Sequence, residues 1–357
     1  MNAKKIIVVI LVTFFSSTFI IILLFSESKA IPSSDVDIRD NIAYIPNTRG
    51  LAIFKILPDL NSKKIKQIEF DATAFGVSID KDFLYVGGGF GMKIFNLSDD
   101  LENPTFLGEY NKGGGNQIAI NNNLAFLTFM NDGLEIIDVQ DPMNPVLVGH
   151  FNLGNRDLDV EVVGSTLYLA DPDRGLEVVN VINPSNPQII STLPIKGAWD
   201  IWRVNNLLYL GCHSNGVRII NISSPTTPKI ISTYPSDGDV YALAGDQDIL
   251  YVGNFYGRIE VLNVSNPAQP SLLGRTPEDF SSHGLYYDGT YAYLVGHHTQ
   301  FSILKFDPDT SELRFYSIIT TKSASWDLFL TTPIIIAVLA VIRRASSQFL
   351  RIKDDNT

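Results

Sequence analysis

The chain holds 357 residues, 45% hydrophobic and 18% charged, which is ample for a large core and too long for one small domain. Its formal net charge is −11, and residues 31–326 alone carry 20 Lys and Arg against 34 Asp and Glu. That acidic field, with no basic stripe to interrupt it, excludes nucleic acid as a partner, and the single cysteine, Cys212, excludes a disulfide framework or a multi-cysteine metal site.

The N-terminus opens with Lys4-Lys5 and then runs uncharged over residues 6–25. A run of this kind has the ~20 residues a membrane-spanning helix needs. Small residues at Ser28 and Ala30 suit signal-peptide cleavage after Ala30. Residues 1–30 are therefore expected to be a signal peptide or a retained signal anchor. In both cases the lysines stay inside and the body is exported.

The body repeats. Aromatic residues at Tyr44, Tyr85, Phe126, Tyr168, Tyr209, Tyr251 and Tyr293 stand 41 or 42 residues apart, each followed by an aliphatic residue. Eight positions before each aromatic comes Val36, Val77, Ile118, Val160, Ile201, Leu243 or Leu285. Eleven or twelve positions after it comes Lys55, Asn96, Asp138, Asn180, Asn221, Asn263 or Lys305. Within a copy the grammar is β: DVEVVG (159–164), TLYLAD (166–171), LEVVNV (176–181) and QIISTL (188–193), separated by turn residues. Four short strands in about 42 residues, seven times over, predict an all-β fold: a seven-bladed β-propeller of four-stranded blades over residues 31–322.

Each recurring residue then has a structural task. The ring packs between adjacent blades, and tyrosine in six of seven copies implies a partner for the hydroxyl. The Asp or Asn ending the third strand is expected to close an Asx-turn with the backbone two residues on. Prolines follow it at Pro142/Pro145, Pro184/Pro187, Pro225/Pro228 and Pro267/Pro270, where they end the ladder and stiffen the turn.

This grammar resembles the LVIVD-repeat family, whose name spells the third strand and its terminal acid. Here the motif reads LEIID (134–138), LEVVN (176–180), VRIIN (217–221) and IEVLN (259–263), each with the double-proline tail. MKIFN (92–96) lacks the prolines, and the copies ending in Lys55 and Lys305 keep one each, Pro58 and Pro308. The resemblance implies a β-propeller on cell-surface or secreted proteins and supplies no catalytic residues. Closure of the ring is its weak point. DVDIR (35–39) and LRFYSII (313–319) are in phase, so no strand is exchanged, while SWDLFL (325–330) resembles an inner strand and offers a clasp.

Loops joining second to third strands, and blade to blade, are expected on one face around the central channel. There they gather Asp159, Trp199, Asp200, His213, Phe255, Tyr256, His283 and His297, the candidate binding residues. Asp35, Asp159 and Asp200 share one repeat position, with Gln117 as their polar counterpart. Aromatic area beside charge is the mixture that interfaces favour. A His/Asp cluster at a channel mouth also suits a metal-dependent hydrolase or lyase, although no H-x-H, HExxH or G-x-S-x-G pattern accompanies it. A purely structural envelope component is the third reading. No cofactor is implied. The expected partner is an extracellular protein or glycan. Asn96, Asn221 and Asn263 begin N-x-S sequons and are glycosylation candidates in an exported chain.

The C-terminal apolar run, residues 328–342, precedes Arg343-Arg344. Fifteen residues of helix span ~22 Å, short of the ~30 Å core, so Trp326 and the arginines are needed to anchor it. Residues 323–342 are read as a transmembrane helix and 343–357 as a cytoplasmic tail, with the propeller on the extracytoplasmic side.

Overall fold

The computed structural model describes residues 5–14, 17–26, 35–129, 132–152, 159–255, 257–276, 280, 282–296, 300–310 and 312–320. The chain divides into two compact units, one of residues 1–29 with 321–357 and one of residues 30–320. In the first, Lys5–Phe14 and Ser17–Ser26 pair as antiparallel strands, with Lys5 opposite Ser26. Among the described residues no helix is long and apolar enough to cross a membrane. The expected membrane segment and tail beyond residue 320 lie outside the described residues, as does the expected clasp at 325–330.

The second unit carries seven four-stranded antiparallel sheets, each made of consecutive strands. Blade 4 is Asp159–Val163, Thr166–Asp171, Gly175–Asn180 and Gln188–Leu193, the four runs legible in its sequence. Blades 1, 2 and 3 occupy residues 37–69, 74–110 and 115–151, and blades 5, 6 and 7 occupy 200–234, 240–275 and 284–320. First strands of successive blades approach one another from blade 1 through to blade 7, so they form the inner ring.

What joins the blades is the alternation of the second strand, whose successive side chains point to opposite faces. The repeat aromatic faces the following blade. Tyr44 packs with Ala74, Val77 and Leu84 of blade 2; Tyr168 with Ile201, Leu208 and Leu210 of blade 5; Tyr251 with Leu285, Ala292 and Leu294 of blade 7. The aliphatic residue after it faces the preceding blade, so Leu210 belongs to the blade 4–5 interface and Val252 to the blade 5–6 interface. Because each sheet is covered on both faces, third strands carry apolar residues on both: Leu134, Ile136 and Ile137 of blade 3 are all fully buried.

The same rule closes the ring. Tyr293 of blade 7 packs with Val36, Ala43, Ile45 and Phe54 of blade 1, and the Phe54 and Phe301 rings stand 5.4 Å apart. Gly284 permits the approach. A Cβ there would fall 2.8 Å from Val295 Cγ2 and 2.9 Å from Asp35 Cα, closer than real Cβ atoms come. All four strands of blades 1 and 7 come from their own repeats, so side-chain packing rather than strand exchange completes the circle.

The tyrosine hydroxyls find partners of different kinds. Tyr44 donates to the Leu101 carbonyl at 2.7 Å, Tyr293 donates to Asp288 at 2.7 Å, and Tyr251 accepts the Phe306 N–H at 3.2 Å. The buried Tyr209 hydroxyl has no hydrogen-bond partner. At the third-strand ends the Asx-turns form as expected. Asn96, Asp138, Asn180, Asn221 and Asn263 each accept the N–H two residues on, at 2.8–3.0 Å. In blade 7, where Lys305 holds the repeat position, the third strand runs on and Asp307 accepts the Asp309 N–H at 3.0 Å.

The prolines have a task beyond stiffening. The first proline's carbonyl abuts the bulged outer strand of the preceding blade. A Cβ on Gly108 would lie 2.5 Å from the Pro142 oxygen, and one on Gly149 only 1.8 Å from the Pro184 oxygen. In blade 5 a serine fills that place, and Ser232 Oγ donates to the Pro267 carbonyl at 2.6 Å. Asn180→Ala should cost about 1 kcal/mol in urea denaturation, the net worth of one such hydrogen bond, while Asn180→Asp should be near neutral because the acceptor survives.

Candidate functional site

Two repeat positions build the most distinctive feature of the channel-side face. Ten residues before the aromatic stand Trp199, Tyr241 and His283, in blades 5, 6 and 7; four residues after it stand His213 and Phe255. The structure interleaves them as a ladder of rings. Trp199 to His213 is 4.7 Å between centroids, His213 to Tyr241 is 4.7 Å, Tyr241 to Phe255 is 4.8 Å and Phe255 to His283 is 4.8 Å. His213 and Tyr241 are almost parallel, at 8°. Every ring in the ladder is half-buried, so each keeps some surface for contact.

Backbone contacts hold the ladder in place. The Trp199 N–H donates to the Gly211 carbonyl at 2.8 Å, the Phe255 N–H to Asp239 at 2.8 Å and the His283 N–H to Val295 at 2.9 Å. His213 sits in a left-handed conformation, φ +44°, which is costly for a residue with a Cβ. Its carbonyl accepts the Val240 N–H of blade 6 at 3.2 Å, so the strained turn also ties two blades together. The His213 imidazole is held below its usual pKa by burial, partly offset by the Asp239 carboxylate, and its Nε2 is buried without a hydrogen-bond partner. Cys212 beside it is buried, and that burial pushes its thiol up to about 12, which leaves negligible thiolate at neutral pH.

Four of the candidates read from the sequence therefore come together: Trp199, His213, Phe255 and His283. Tyr241 was legible only through its register with Trp199 and His283. Trp202 belongs to the core, with its Nε1 donating to the Gly245 carbonyl at 3.1 Å. Tyr256 and His297 lie outside the described residues. The sequon residues Asn96, Asn221 and Asn263 end third strands, at the rim opposite the ladder, with their Oδ1 atoms engaged in the turns.

Asp159 and Asp200 sit one residue position inside the ladder's register, on the inner ring with Asp35. Each reaches across to the next blade. Asp35 Oδ2 accepts the Val77 N–H at 2.9 Å, Asp159 Oδ2 the Ile201 N–H at 2.8 Å and Asp200 Oδ2 the Leu243 N–H at 2.8 Å. They keep some surface toward the channel but are surrounded by protein. Burial pushes Asp35 up to about 7 and Asp159 up to about 6. Asp200 is raised well above the usual carboxylate range by burial and by repulsion from Asp159 and Asp35, so the three acids share one field.

Solved structures of similar shape establish the class. The β-propeller domain of Cps50 (Swd1) from Myceliophteria thermophila has a TM-score of 0.60 at 11% identity, covering 76% of this chain and 96% of that one. The WD40 β-propeller domain of Doa1 gives 0.59 at 12% identity over 79% and 97% of the two chains. Sqt1 of Saccharomyces cerevisiae gives 0.60 at 8% over 80% and 84%. The protein is thus a seven-bladed β-propeller. No curated protein matches it in sequence. Residues 112–153, 158–193, 196–235 and 238–276, which span blades 3 to 6, match the LVIVD repeat.

The channel acids set a pH dependence with a definite sign. The folded state holds protons on Asp35, Asp159 and Asp200 at pH values where the unfolded chain has released them. Their contribution to stability is therefore complete below about pH 4 and lost as pH rises toward 7. The exposed acids Asp59, Asp100, Asp141 and Asp307 are held below the usual range and titrate outside that window. The melting temperature should fall between pH 5 and pH 8. Asp35→Asn and Asp200→Asn, which keep a carbonyl acceptor, should flatten the fall.

Proposed function

We propose that this propeller is a non-enzymatic binding module, displayed on the extracytoplasmic side of a membrane, which engages a protein or glycan through the ring ladder of blades 5 to 7. The observation that carries the reading is the ladder itself: five half-buried rings, from three consecutive blades, on one face of a rigid scaffold. Large rigid rings offer contact area at low entropic cost, and such residues dominate binding energy at interfaces. The polar groups nearby support binding over catalysis. Asp159 and Asp200 spend an oxygen on neighbouring backbone, and the Cys212 thiol is sealed and protonated.

Display outside a membrane rests on the two apolar runs, 6–25 and 328–342, with Lys4-Lys5 and Arg343-Arg344 at their inner ends. The test compares capture from native cell envelopes by the wild-type chain and by Trp199→Ala/Phe255→Ala, with circular dichroism to verify folding. A ligand retained by the wild type should be lost about tenfold or more in the double variant. Protease and glycosidase treatment of the envelopes then separates a protein from a glycan. Equal retention by both chains contradicts the assignment of the ladder as the contact surface.

A further inference from the structure

The same face carries a second constellation in blade 3 that the ladder does not use. Glu135 of the third strand lies directly opposite His150 of the fourth, and the loop residue Asp132 completes the group. Directly opposed residues on paired strands bring their side chains together on one side of the sheet. One ligand atom from each of Asp132, Glu135 and His150 lies within 4.8 Å of the other two. His150 Nε2 is 2.9 Å from the Asp132 carbonyl, to which it donates, and 3.5 Å from Asp132 Oδ1.

Two further facts point to a cation. Glu135 is only 1% exposed, and its Oε2 is sealed from solvent without a hydrogen bond of ordinary geometry. A buried carboxylate oxygen left in this state costs free energy unless positive charge compensates it. The group already attracts one cation, the Lys112 ammonium, which sits 2.7 Å from Asp132 Oδ2, contacts Glu135 Oε1 and lies over the Phe129 ring. Lys112 lies on the connection between blades 2 and 3, whereas Glu135 and His150 are held on paired strands.

We propose that Asp132, Glu135 and His150 form a binding site for a divalent transition metal of the zinc class, with Lys112 as the internal cation that the metal displaces. Two carboxylates and one imidazole are the donor set that such ions take, and the imidazole disfavours magnesium and calcium, which prefer oxygen. On binding, Nε2 gives up its hydrogen bond to the Asp132 carbonyl and offers its lone pair, and the imidazole carries its proton on Nδ1. Lys112 swings out to solvent. A doubly charged ion compensates the buried Glu135 carboxylate, which otherwise has the Lys112 ammonium and the Tyr110 hydroxyl beside it, more fully than one ammonium does.

Calorimetric titration of the purified full chain with Zn²⁺ tests the site. The wild type should take up one equivalent, and Lys112→Ala should bind more tightly because the competing cation is gone. His150→Ala, a change at a half-exposed position of the outer strand, should weaken uptake at least about tenfold. His283→Ala, in the ladder, should leave it unchanged. Wild-type protein without saturable uptake, or His150→Ala binding as the wild type does, overturns the proposal.

Discussion

Everything in this structure depends on one contact: the second-strand ring of each blade pressed onto the blade that follows. A four-stranded sheet of this composition cannot stand alone, because both its faces are apolar. Covering each face with a neighbour solves that problem seven times, but only if the last blade covers the first. The contact between Tyr293 and Val36, Ala43 and Ile45 meets this condition without borrowing a strand. Gly284 matters for the same reason, since a side chain at that position would hold blades 7 and 1 apart.

The secondary contacts follow the same neighbour-to-neighbour direction. Channel carboxylates reach forward to the next blade's inner strand, at Val77, Ile201 and Leu243. At the outer edge, proline turns press back on the preceding blade's bulge, at Gly108, Gly149 and Ser232. Inner ring, core and rim are therefore each stitched. Residues at these positions can vary only within narrow chemical limits, so specialisation is pushed to loops where the repeat imposes little. The ring ladder lies on the channel-side face for this reason, whereas in the Asp132–Glu135–His150 group Glu135 holds a position it shares with Glu177 and Glu260, and Asp132 and His150 supply what is particular to blade 3.

The repeat made most of the fold legible. Strands of blade 4 could be written down from β-branched runs and turn residues, and Asn180 could be read as a turn-former because Asp138 and Asn221 hold the same place. Trp199, His213, Phe255 and His283 stood out as rings in loops. What single residues could not reveal was register. Tyr241 lies in an inner strand, and only when it is aligned with Trp199 and His283 does the ladder become continuous. Glu135 and His150 are 15 residues apart in the chain, and a bulge between them sets which residues face each other. Asp159 and Asp200 were visible as acids near a channel, but their bonds to Ile201 and Leu243 depend on how far one blade stands from the next. The apolar N-terminal run fits a membrane helix by length and composition, whereas the described residues there pair as strands, because hydropathy alone does not distinguish the two.

The central claim is that the ring is closed by an interface equivalent to the internal ones. Equilibrium denaturation of Tyr293→Ala beside Tyr168→Ala addresses it directly. Each change empties one buried ring site, at the closing interface and at the blade 4–5 interface respectively. Both variants should lose about 3–5 kcal/mol in a single cooperative transition. A Tyr293→Ala protein that unfolds at the wild-type denaturant midpoint, with Tyr168→Ala strongly destabilised, would mean that blade 7 does not close on blade 1.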